Sequence, residues 1–157
     1  MNTLPVKPKY KILVADDDLD VNTTFALLIE FEGHEVQAAQ NGEAALALLA
    51  KSQFDLLITE YWLPHMKGDE LAALVKEQCP QLPIIMVTAN LEEFNADHYP
   101  ITGVDCLLEK PFSMDHLREA IKWALEPNAE RPPGESKTDW VHHGWVGTPD
   151  ILRKSLP

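Results

Sequence analysis

Between residues 11 and 125 the chain alternates short apolar runs with longer amphipathic ones, and this alternation limits the fold more than any other feature. Residues 11–16 (KILVAD) form a buried-strand pattern that ends in acid. Residues 19–32 follow, with Val21, Phe25, Leu28 and Ile29 at helical spacing and Gly33 as the stop. A weaker strand spans 35–39, and Asn41-Gly42 opens a helix through Lys51. Asp55–Thr59 (DLLIT) predicts a third strand and 68–78 a third helix, with Leu71, Leu74 and Val75 as its stripe. Pro83–Thr88 (PIIMVT) and the short Cys106–Leu108 predict two more strands. Ser113 caps a closing helix that turns Leu117, Ile121, Ala124 and Leu125 inward. Between Thr88 and Cys106 only Leu91, Phe94 and Tyr99 offer a stripe, so the spacing predicts a short or irregular fourth helix ended by Pro100.

Strand and helix in strict alternation imply right-handed crossovers and a parallel sheet covered on both faces. Five such units suit an open doubly wound α/β sheet. A closed barrel needs eight units and about 250 residues. In open sheets of this kind the functional crevice lies at the carboxyl ends of the strands.

Charge narrows the partners. The 157 residues hold 13 Lys plus Arg and 25 Asp plus Glu, a net charge of −12. Nucleic acid and anionic membrane surfaces both call for clustered Lys and Arg, so neither is an expected partner. No apolar stretch approaches the roughly 20 residues that span a bilayer. Residues 1–9 are polar with two prolines, unlike a signal or transit peptide. Cys79 and Cys106 are too few for a disulfide scaffold. These features together predict a cytoplasmic protein. Residues 127–157 carry four basic and four acidic groups and five of the 12 prolines, so the whole charge excess lies upstream. The expected organisation is an extension at 1–9, one domain at 10–126 and a partly flexible tail at 127–157.

The strand ends collect the chemistry. The first ends in Asp16-Asp17-Asp18, the third at Thr59-Glu60, the fourth at Thr88-Ala89 and the fifth at Glu109-Lys110-Pro111. Clustered carboxylates repel one another unless a cation is present, and a hard ion such as Mg2+ would relieve that repulsion. A Thr hydroxyl and a Lys opposite them suit the oxygens of a phosphoryl group. Asp18 and Asp20 read instead as acids favoured by a helix N-terminus. No Gly-rich loop follows the first strand and no Gly-x-Ser-x-Gly turn appears, which argues against nucleotide-dependent and hydrolase chemistry on a similar sheet.

Four motifs carry a resemblance: KILVADDD (11–18), DLLITEYWLPHMKGDEL (55–71), IIMVTAN (84–90) and LLEKPF (107–112). Residues 11–125 resemble the receiver domain of two-component response regulators, the CheY-like superfamily. The resemblance implies a flavodoxin-like (βα)5 fold with strand order 2-1-3-4-5 and a cis peptide bond before Pro111. It makes Asp16 and Asp17 metal-binding acids, joined at the metal by the acceptor position and the backbone carbonyl of Trp62. It makes Thr88 and Lys110 the groups that sense the phosphoryl group, and it places Leu107 at the switch position.

The acceptor is where the chain departs from the family. Asp55 and Pro64 frame position 60, where the family has Asp and this chain has Glu. The extra methylene carries the carboxylate about 1.5 Å farther out, toward Thr88 and Lys110. A Glu60–Lys110 ion pair would then partly mimic a phosphorylated state, with two oxygens where a phosphoryl group has three. Leu107 replaces the usual aromatic, and Trp62 stands where a side chain overhangs the acceptor. The expectation is a stand-alone pseudo-receiver of the phosphorelay class, not an enzyme, acting through protein contacts. Its expected partners are a sensor kinase or other signalling protein and a second copy. The copy would use the face built from the fourth helix, fifth strand and fifth helix, with Leu107, Arg118 and Lys122. The competing expectation is a Mg2+-dependent receiver in which Glu60 itself accepts phosphate.

The tail adds two expectations. Trp140 and Trp145 are candidate anchors onto this domain or a partner. Thr148-Pro149 is a good helix start.

Overall fold

A computed structural model describes residues 4–90, 103–126 and 145–147, the last three by backbone alone. The elements run β1 (Lys11–Ala15), α1 (Leu19–Phe31), β2 (Glu35–Ala39), α2 (Gly42–Lys51), β3 (Leu56–Glu60) and α3 (Gly68–Gln78). They continue with β4 (Ile84–Thr88), β5 (Cys106–Glu109), α4 (Met114–Leu125) and β6 (Trp145–Gly147). The irregular fourth helix expected near residues 91–100 lies outside the described residues. So do Trp140 and the helix start at Thr148. Helix α4 is therefore the fifth helix of the sequence reading.

The sheet order is β2-β1-β3-β4-β5-β6. The first five strands pair in parallel, which is the doubly wound flavodoxin-like arrangement the alternation predicts. Central β3 and β4 are buried along their whole length, as strands covered on both faces must be. Alternate residues go to opposite faces. Leu13, Leu57, Met86 and Leu107 join Leu71 and Val75 of α3 in one core. Ile12, Ile58, Ile85 and Leu108 join Phe25 and Ile29 of α1 and Leu117 and Ile121 of α4 in the other.

The caps follow the sequence. The Asp18 carboxylate accepts from the amides of Asp20 and Val21 at the start of α1. Asn41 Oδ1 accepts from the Ala44 amide at 2.7 Å. Ser113 Oγ accepts from the His116 amide, and the Ser113 amide donates to His116 Nδ1, a reciprocal capping box. Gly33, at φ +93°, follows α1 and leads into β2 in a conformation side chains resist.

Several element ends differ from the sequence reading by one residue, as at β1, α1, β3, β4 and β5. Strand β3 begins at Leu56 because the Asp55 carboxylate turns to accept the Lys11 amide at 2.7 Å. That contact lies at the end of the sheet opposite the crevice. The larger difference is in the tail, where residues 145–147 add a sixth strand, antiparallel to β5. Periodicity over three residues next to Gly carries no strand signal, so nothing in the sequence announced it.

Candidate functional site

The parallel register sets the crevice. Ala15 pairs with Thr59, Glu60 with Val87, and Thr88 with Glu109, so the carboxyl ends of four strands finish side by side. Asp16, Glu60, Thr88 and Lys110 occupy those ends. The first three are buried, at 2%, 7% and 0% exposure. The Lys110–Pro111 peptide bond is cis.

Lys110 bridges the two acids. Its Nζ lies 2.7 Å from Glu60 Oε2 and 3.1 Å from Asp16 Oδ2. The remaining oxygens are also engaged. Glu60 Oε1 accepts from the amides of Tyr61 (2.9 Å) and Trp62 (3.2 Å), and Asp16 Oδ1 accepts from the Asp18 amide (2.9 Å). Burial pushes the Asp16 carboxyl above its ordinary 3.8, against the opposing pull of the Asp18 amide and the Lys110 ammonium. Burial works on Lys110 in the opposite sense, toward the neutral amine. The bonds to Glu60 and Asp16 overcome it and hold the ammonium above 10.5. The two outcomes differ: at Lys110 the partners outweigh burial and hold the charge, whereas at Asp16 burial outweighs the partners and the carboxylate is disfavoured.

Several neighbours position these groups. A Cβ at Gly68 would collide with the backbone carbonyl of Glu60, so the turn from β3 into α3 requires glycine. The Gly68 amide also donates to the Tyr61 carbonyl at 2.7 Å, fixing the loop under Glu60. Thr88 Oγ1 accepts from the Asn90 amide at 3.3 Å. Leu107 is 1% exposed and packed inward with Met86, which leaves it no swing toward solvent in this state.

Two predicted residues stay outside the cluster. Asp17 is exposed beside Asp16. Trp62 enters through its amide while its indole is half exposed. The indole meets Tyr61 edge to face at 4.9 Å, and Lys67 Nζ lies 4.8 Å from the Trp62 ring centre. These three side chains form a cap beside the crevice.

Sequence reasoning missed Asn22. It is buried on the inner face of α1, where its Nδ2 donates to the carbonyls of Asp16 (2.6 Å) and Ala39 (3.3 Å). It thereby ties the acidic turn to the end of β2. Its Oδ1 is buried with no hydrogen-bond partner. The available signal was a polar residue on an otherwise apolar stripe, three before Phe25 and seven before Ile29.

Of the residues expected on the face for a second copy, Arg118 is 44% exposed with its guanidinium donating to Glu32 at 2.7 Å and to Asp115 at 2.6 Å, and Leu107 is buried.

A divalent cation fits the donor types but not their arrangement. Three acids against one ammonium suit a hard, oxygen-seeking ion. Here, however, Lys110 sits between Asp16 and Glu60, and Asp17 does not converge with them. Among the described residues no group of three or more His, Cys, Asp or Glu side chains is gathered to hold a metal. As arranged, the crevice is an ion-paired cluster in which one ammonium is shared by two buried carboxylates.

Comparison with known proteins gives this cluster a context. The sequence profile described as "Response regulator receiver domain" matches residues 12–122. The phosphate regulon transcriptional regulatory protein PhoB of Pseudomonas aeruginosa is 34% identical over 128 residues, covering 80% of this chain and 55% of that protein. The chain spans about half the length of such curated relatives, 54% and 55% for two of them. A CheY-like receiver domain protein from Methanospirillum hungatei superposes with a TM-score of 0.71 at 31% identity, covering 76% of this chain and 96% of that one. The response regulator TrrA of Thermotoga maritima, solved in complex with Mg2+-BeF, gives 0.68 at 29% identity over 74% of this chain and 99% of that one.

Proposed function

The chain belongs to the response regulator receiver domain family, and from that premise we propose that it is a pseudo-receiver, a signalling module of the two-component class whose site is held in one state by its own Glu60. One observation carries the reading. Glu60, which this reading takes as the counterpart of the family's acceptor Asp, has Oε2 2.7 Å from Lys110 and Oε1 on two backbone amides. The carboxylate supplies the negative oxygen that Lys110 pairs with, and it does so without a phosphoryl group. Asp16 shares the Lys110 ammonium, and Asn22 anchors the Asp16 backbone. Leu107 packed inward is the corresponding setting of the switch position.

In this reading output is carried by binding, not by catalysis. The partner is a sensor kinase or another signalling protein that recognises the fixed state. The chain's own charge of −12 disfavours nucleic acid as that partner. Among the described residues no helix is long and apolar enough to cross a membrane. The transcriptional output named for the relatives is a property of those proteins.

The test is labelling by acetyl phosphate in the presence of Mg2+, followed by intact mass. The wild type is expected to stay unlabelled while Glu60→Asp gains one phosphoryl group. Transfer tolerates little misplacement, so the shorter acid in the same frame is the competent one. Mg2+-dependent labelling of the wild type at a rate comparable to Glu60→Asp would sink the pseudo-receiver reading and support Glu60 as a true acceptor.

A further inference from the structure

The two edges of the sheet are protected by different means. Strand β2 exposes Glu35 and Gln37, and Glu35 pairs with Lys9 at 3.0 Å. Charge blunts that edge against a second strand. Strand β5 carries its one charge, Glu109, at its crevice end, and Cys106, Leu107 and Leu108 before it are all at most 1% exposed with neither charge nor proline among them. What covers it is β6, in the register Cys106↔Gly147, Leu107↔Val146 and Leu108↔Trp145.

We propose that residues 145–147 are a releasable guard on the β5 edge, and that the occupant they exclude is β5 of a second copy of this chain. The pairing itself is the argument for that occupant. An edge that accepts an antiparallel neighbour is self-complementary. Two β5 strands related by a two-fold axis run antiparallel and join the two sheets into one. The guard is weak by construction, because its ladder is only three residues long. It is kept in place by tethering. Nineteen residues, 126–144, separate α4 from β6. A partner strand in the same chain meets β5 at an effective concentration above ordinary protein concentrations. Releasing the guard changes no charge, since residues 127–157 sum to zero. The −12 on each copy remains the main opposition to pairing, and salt screens it.

The experiment uses the full chain at about 0.3 M salt, where the screening length falls well below 10 Å. The variant carries Trp145→Pro, Val146→Pro and Gly147→Pro together, which leaves β6 no amide to donate. Hydrogen exchange is read at Cys106–Glu109 and mass by light scattering. The wild type is expected to be a monomer whose outward β5 amides exchange about tenfold more slowly than those of the dilute variant. The variant is expected to double in mass on concentration and to regain slow exchange at the same β5 amides. Unchanged exchange at β1 and β3 confirms that the domain is intact. Equal β5 exchange in the two dilute proteins would overturn the guard. A variant that stays monomeric, or that associates without protecting β5, would overturn the second copy as the excluded occupant.

Discussion

Two ion-pair networks in this domain have nearly the same distances. In the crevice Lys110 meets Glu60 at 2.7 Å and Asp16 at 3.1 Å. On the surface Arg118 meets Glu32 at 2.7 Å and Asp115 at 2.6 Å, and Lys7 meets Glu32 at 3.3 Å. Burial separates them. The Asp16 and Glu60 side chains are 3% and 8% exposed, whereas Arg118 is 44% and Asp115 79%. Glu32 at its centre is 14% exposed, but water competes for its partners Arg118 and Lys7 and for Asp115, and so weakens these Coulomb interactions. In the crevice the acids have little else to turn to. Bond length therefore does not predict which network matters, and the environment does.

The comparison is broken or upheld most directly by removing each cation. Lys110→Met strands two buried carboxylates facing each other and is expected to cost about 3 kcal/mol of stability, read from the urea midpoint. The figure sits at the low end because a quarter of the Lys110 side chain meets solvent. Adding Glu60→Gln should restore part of the loss by removing one of the stranded charges. A Lys110→Met midpoint no lower than that of Arg118→Met would show that burial is not what distinguishes the two networks.

The same contrast explains what the sequence revealed. The crevice was legible because strand ends are: Asp16, Glu60, Thr88 and Lys110 each follow an apolar run, and the topology of a doubly wound sheet brings such ends together. The fold was legible for the same reason, with β2, α2 and α3 placed residue for residue. The Arg118–Glu32 pair spans 86 positions across two helix surfaces, and no local pattern encodes where such surfaces meet. Asn22 was hidden among apolar neighbours. Strand β6 was hidden because its stability comes from the edge it covers, not from its own three residues.

His34 sharpens the comparison, because it is buried while its charged neighbours belong to the exposed network. It is 8% exposed, and its Nδ1 accepts the Tyr10 amide at 3.3 Å, so the folded state needs the ring neutral there. Burial is the main force holding it below its ordinary 6.5. Lys7 adds to this and Glu32 opposes it. A depressed histidine leaves stability complete above 6.5 and removes it as pH falls from there through the folded value. Asp16, raised from 3.8, acts in the opposite direction as pH falls, so the His34 contribution is read as wild type minus His34→Gln. That difference is expected to shrink steadily below pH 6.5. A difference that stays flat down to pH 5 would mean that Tyr10 and the ring do not need each other.

Arg118→Ala should give the smallest effect, a midpoint change close to the scatter of the measurement, because its guanidinium stands in water. Its pH signature is more telling than its size. The hydrogen bond from Arg118 is the main cause that holds the Glu32 carboxyl below its ordinary 4.5, with Lys7 assisting and burial opposing. Stability of that kind is present above 4.5 and is lost as pH falls through the lower folded value. Arg118→Ala should therefore lower the neutral plateau by that small amount and converge with the wild type as pH falls below the folded value, flattening the acid limb, and about 1 M salt should erase the difference. The Lys110→Met deficit should survive the same salt, because ions do not enter a crevice whose acids are buried. If salt removes both differences alike, then the crevice is as wet as the surface, and Glu60 holds Lys110 no more firmly than Glu32 holds Arg118.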